Sequence, residues 1–116
     1  MQQGRILILG QTKDNSYEIR NLLDHQRFEL EIALTKEVGK LILSTRRMSL
    51  LIIHTEAISE ELPEFFEFLE ERGIEIPLML LGEEARALGE KLPVEKVTCF
   101  DKPYPAEQVL RHIEDL

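Results

Sequence analysis

Short apolar runs alternate along this chain with longer stretches of helical period, and that alternation predicts a parallel α/β sheet. Ile6, Leu7, Ile8 and Leu9, closed by Gly10, are apolar at every position, which suits a central strand covered by helices on both faces. Asp14, Asn15 and Ser16 can accept from free helical N–H groups, and Ile19, Leu22 and Leu23 follow at i, i+3 and i+4, so a first helix is expected, ending near His25. From Phe28 to Leu34 the chain sets Phe28, Leu30, Ile32 and Leu34 against Glu29, Glu31 and Ala33, the pattern of an edge strand buried more on one face. Val38, Leu41 and Ile42 place a second helix, with Arg46 and Arg47 where cations favour a helix C-terminus.

Leu50 to Ile53 is a third strand. Ser59 can cap a third helix whose stripe is Leu62, Phe65, Phe66 and Leu69, with Pro63 in the first turn and Gly73 as the stop. Phe68 lies off that stripe, among Glu56, Glu60, Glu61, Glu64, Glu67, Glu70 and Glu71, an acidic run that reads as a solvated helix face. Pro77 opens a fourth, doubly covered strand, Leu78 to Leu81, and Gly82 closes it. Ala85, Leu88 and Leu92 recur at helical spacing, but Gly89 weakens that helix by about 1 kcal/mol relative to Ala, so it should be short or frayed. Val97 to Phe100 is the last strand, and Pro105 starts a final helix facing the core with Val109, Leu110 and Ile113. Right-handed crossovers then give a doubly wound, five-stranded parallel sheet with helices on both faces.

The chain has 116 residues, 43% of them hydrophobic, enough for one compact domain over residues 1–116 that buries roughly two-thirds of its unfolded surface without disulfides or structural metal. Lys and Arg number 14 and Asp and Glu 22, a formal charge of −8, which repels phosphate backbones and acidic headgroups and argues against nucleic acid or anionic membrane as a direct partner. The longest apolar runs fall far short of about 18 residues, so neither a membrane span nor a signal segment is expected and the chain reads as cytoplasmic. With no Trp and 6% aromatic residues, base-stacking platforms and large apolar pockets are poorly supplied.

In such a sheet, ligands gather at the C-terminal ends of the strands. Those ends carry Gly10, Gln11 and Thr12; His54, Thr55 and Glu56; Gly82 and Glu83; and Asp101, Lys102 and Pro103. His54 has no Cys, His or carboxylate at ligand spacing beside it, which argues against a metal or a catalytic centre. The loop from Gly10 to Ser16 could suggest a phosphate cradle, but Asp14 puts negative charge where the phosphate would sit. Cys99, inside a strand, reads as a small core residue.

The order of elements, the opening Arg5 to Leu9, the spacing from Gly10 to Phe28, the strand Ser49 to His54, the run Ile76 to Leu81 and the closing Lys102-Pro103-Tyr104 with Pro105 resemble the receiver domain of bacterial two-component response regulators. The resemblance spans nearly the whole chain and implies a flavodoxin-like, receiver-like fold. In receivers an acidic pair after the first strand and an aspartate after the third bind Mg²⁺, and that aspartate accepts phosphate from a histidine kinase. The matching positions here are Gly10, Gln11 and His54, followed by Gly82 for the hydroxyl residue after the fourth strand and Cys99 for the switch aromatic. Of that set only Lys102 is retained, and Pro103 is implied to follow a cis peptide bond.

The resemblance therefore implies a pseudo-receiver, with no metal site, no cofactor and no enzymatic activity, His54 filling the space of the lost aspartate as a neutral imidazole. The expected function is phosphorylation-independent regulation in bacterial signal transduction or transcription, through protein contacts or dimerisation. The chain is then expected to be the N-terminal module of a longer protein, its partner an effector domain in the same chain or a second copy. The dimer face common in the family maps to Arg86, Asp101, Tyr104, Gln108 and Arg111, and Phe68 is a further candidate contact. Two other readings remain: a nucleotide or flavin bound near Gly10, His54, Gly82 and Lys102, and a conventional phosphorylated receiver, whose carboxylates are missing here.

Overall fold

The computed structural model describes residues 4–10, 28–55, 61–91, 97–101 and 106–114. Five strands form one sheet: β1 (Gly4–Leu9), β2 (Phe28–Ala33), β3 (Leu50–His54), β4 (Leu78–Gly82) and β5 (Val97–Asp101). The helices between and after them are α1 (Lys36–Thr45), α2 (Leu62–Glu71), α3 (Ala85–Glu90) and α4 (Ala106–Glu114). All pairings are parallel, in the order β2-β1-β3-β4-β5. This is the doubly wound arrangement expected from the alternation of apolar runs and helical periods, with β2 at one edge. The first helix, its cap, the Ser59 cap, Leu92 and the Pro105 helix start lie outside the described residues.

Side chains alternate across the strands and divide the core into two layers. Leu7 and Leu9 of β1, Leu51 and Ile53 of β3 and Leu80 of β4 face the layer built by α1, α2 and α3. Ile6, Ile8, Leu50, Ile52, Met79 and Leu81 face the other, where α4 contributes Val109 and Ile113, with Leu110 half-buried. Burial on both faces is why β1, β3 and β4 read as unbroken hydrophobic runs.

The edge strand departs from its expected alternation. β2 ends at Ala33, which is fully buried against Leu7 and Leu9, whereas Leu34 is 64% exposed. The chain leaves the sheet at Leu34 so that Thr35 can cap α1, its Oγ1 accepting the Val38 N–H at 3.2 Å. That helix is also turned so that, of its expected apolar positions Val38, Leu41 and Ile42, Ile42 alone packs on the core. Gly39 and Leu43 face inward, while Val38 and Leu41 are 43% and 64% exposed. At Gly39 the helix backbone settles on β1, where an added Cβ would come within 2.9 Å of Leu9 Cδ1. Leu41 lies about 200° around the helix from Gly39 and is thrown outward. Arg46, expected to serve the helix C-terminus, instead reaches across to hydrogen-bond Glu31 of β2.

α2 follows its sequence closely. Leu62, Phe65, Phe66 and Leu69 are its buried residues, and Pro63 sits in the first turn. It stops at Gly73, whose φ of 65° is strained for any residue with a Cβ. The Gly73 N–H donates to Glu70 O at 3.1 Å and the Ile74 N–H to Leu69 O at 2.9 Å, the paired bonds of a Schellman stop.

Candidate functional site

The C-terminal strand ends come together as the sheet requires. β1 and β3 pair up to Leu9 and Ile53, so Gly10 and His54 are the next residues on adjacent strands. His54 pairs with Leu81 of β4, and Gly82 with Asp101 of β5. Gly10 and Gly82 turn the chain with φ of 81° and 141° and bring no side chain to this end. His54 is only 3% exposed, at the close of a strand buried at all five positions. Gln11, Lys102, Pro103 and its peptide bond, Tyr104 and the loop through Ser16 lie outside the described residues.

Thr55 follows His54 and is 1% exposed. Its hydroxyl donates to Glu83 O at 3.2 Å, with Leu81 O 3.5 Å away, and so ties the end of β3 to the turn between β4 and α3. The sequence places Thr55 at a strand end without a role; the one signal is a hydroxyl two positions past the apolar run Leu50 to Ile53.

Past that turn, Glu84 holds a left-handed φ of 59° and caps nothing with its side chain. The cap of α3 comes from another strand: Asp101 Oδ1 accepts the backbone N–H of Arg86 at 2.9 Å, and Asp101 Oδ2 lies 4.0 Å from Arg86 Nε. Two residues expected to meet a second copy thus meet each other. Gln108 and Arg111 are exposed on α4.

Cys99 is half-buried in β5, on the side covered by α3. Burial, and then the negative charge of Asp101, push its thiol pKa up, which keeps it protonated and weakly nucleophilic at neutral pH. Phe68 is half-buried against the core, its ring 6.0 Å from Phe65 and flanked by Lys40 at 5.3 Å and Arg72 at 5.6 Å. Among the described residues no group of three or more His, Cys, Asp or Glu side chains is placed to hold a metal.

No family model and no curated protein matches this sequence. Solved structures do. The signal receiver domain of an HD domain-containing protein from Pseudomonas fluorescens superimposes with a TM-score of 0.80 at 16% identity, over 98% of this chain and 94% of that one. The receiver domain of the Francisella response regulator 1452 gives 0.76 at 14%, over 97% and 94%. The fold is that of a receiver domain. A receiver-modulated diguanylate cyclase from Pelobacter carbinolicus gives 0.71 at 20% identity, over 96% of this chain and 89% of that chain. Within this receiver fold, Gly10, His54 and Gly82 stand at the tops of β1, β3 and β4, while Cys99 lies two residues inside the end of β5. Glycine and imidazole do not fit Mg²⁺, a hard cation that takes carboxylate and water oxygens.

Proposed function

We propose that this chain is a regulatory domain of bacterial signal transduction that works through protein contacts and without phosphorylation. The observation that carries the reading is a receiver fold with Gly10 and His54 at the two strand ends where a phosphorylated receiver needs carboxylates. An acyl phosphate requires a carboxylate nucleophile, and imidazole beside glycine supplies neither that group nor the metal that would offset phosphoryl charge. On this reading the domain catalyses nothing, holds no metal or cofactor, and keeps the fold for the surfaces it presents.

Residues 1–116 then act as the N-terminal module of a longer cytoplasmic protein, with an effector domain in the same chain as first partner and a second copy as another. Neighbours named for an HD domain and for a diguanylate cyclase support a receiver fold joined to varied effectors, and transcription regulation is one such output. The charge of −8 disfavours direct contact with nucleic acid. No helix among the described residues is long and apolar enough to cross a membrane.

The test is incubation of the wild type and His54→Asp with acetyl phosphate and Mg²⁺, read by intact mass, with a urea midpoint to verify folding. Neither protein should gain mass, because even with a carboxylate at position 54, Gly10 leaves the metal without a ligand. A stoichiometric phosphoryl adduct on the wild type would overturn the proposal.

A further inference from the structure

α3 has six residues, and Ala85 is its one fully buried side chain. A helix so short is not stable on its own, and its first N–H groups need acceptors from elsewhere. Its own preceding residue, Glu84, is held left-handed and provides no side-chain cap. The acceptor comes instead from Asp101, 15 residues along the chain, at 2.9 Å from the Arg86 nitrogen. The other end of α3 rests on the sheet at Gly89, where an added Cβ would fall 2.4 Å from Cys99 Sγ, 3.7 Å from Leu80 Cδ1 and 3.8 Å from Val97 Cγ1. The turn leading in is fixed separately, by the Thr55 hydroxyl on Glu83 O at 3.2 Å.

We propose that α3 is a flap latched by the Asp101 carboxylate: when the bond from the Arg86 amide to Asp101 opens, α3 leaves β5 as a unit, bares the buried Leu80 and uncovers the rest of the half-buried Val97 and Cys99, while β3 and β4 stay folded. Local openings of this kind fall in segments with few buried anchors, and α3 has the fewest of the four helices that the described residues contain. The latch is a single hydrogen bond between a strand end and a helix start, so its strength sets how often the flap opens. Cys99, the one cysteine of the chain, is half-buried with α3 in place, so opening registers as an increase in its modification rate.

The experiment measures the rate of Cys99 modification by an aromatic disulfide reagent under native conditions, together with amide exchange at residues 86–88 and at β3, in the full chain. Asp101→Ala should raise exchange at 86–88 about fivefold, the factor a lost helix cap gives, with β3 exchange unchanged, and should raise the thiol rate by a similar factor over that of Asp101→Asn, which lacks the same charge. Asp101→Asn removes the charge that raises the Cys99 pKa but keeps an acceptor oxygen, so it should leave exchange at 86–88 near wild type. Arg86→Ala, which keeps the backbone N–H, should also change little. The proposal is overturned if Asp101→Ala leaves exchange at 86–88 unchanged, if Asp101→Asn reproduces its full effect, or if β3 exchange accelerates by the same factor.

Discussion

α2 and α3 cover the same face of the sheet and are held there in opposite ways. α2 brings four buried side chains, Leu62, Phe65, Phe66 and Leu69, and carries its own stop in Gly73. α3 brings one, borrows its cap from Asp101 and is seated by the absence of a side chain at Gly89. The first is stabilised by what its own sequence inserts into the core. The second depends chiefly on what β5, later in the chain, provides. An element of the second kind has few anchors of its own to lose if it opens.

The contrast breaks most visibly at Phe65. Phe65→Ala should cost about 3 to 5 kcal/mol, a large part of the roughly 5 to 15 kcal/mol that holds a domain together, and urea denaturation should show it as one cooperative loss. No comparable side chain exists in α3, where the sensitive position is a glycine. On helix propensity alone Gly89→Ala should gain about 1 kcal/mol. Against Cys99 it should instead lose roughly 1 to 2 kcal/mol through overpacking. In a Cys99→Ala background the sign should reverse, since the remaining neighbours lie at ordinary contact distance, and a double-mutant cycle in urea would measure the coupling.

The smallest effect concerns the polar face of α2. Glu64 hydrogen-bonds Lys36 at 3.3 Å and lies 3.5 Å from Lys40, and this partnership lowers the Glu64 pKa and raises that of Lys36. A carboxylate held below its unfolded value adds stability above the ordinary carboxylate range and loses it as pH falls through the folded value. The lysine adds stability below its ordinary range and loses it as pH rises through its raised value. The urea midpoints of wild type and Glu64→Gln should therefore differ slightly at neutral pH and converge below the carboxylate range. The difference should also fade in high salt, since both groups face water.

Much of this was legible in the order of residues. Unbroken runs at Ile6 to Leu9, Leu50 to Ile53 and Leu78 to Leu81 announced strands buried on both faces, and Leu62, Phe65, Phe66 and Leu69 announced the inward face of α2 before any tertiary contact was known. α1 was legible as a helix but not in its rotation, because Val38 and Leu41 match helical spacing while the close approach to Leu9 selects the Gly39 face. At the candidate site, the strand ends placed Gly10, His54 and Gly82 correctly. The partnership of Asp101 with the Arg86 amide was not visible, nor was the tie from Thr55 to Glu83, since neither residue type is unusual at its position.

Hydrophobic period is a local property, and it determined by itself which segments are strands, which are helices and how deeply most of them lie. Contacts across the sheet depend on which strands become neighbours and in what register, and only the folded chain decides them. Gly89 shows the division most clearly. By sequence it is a weak point in a short helix; with β4 and β5 paired as Leu80 to Cys99, it is the one residue small enough to let that helix reach the sheet.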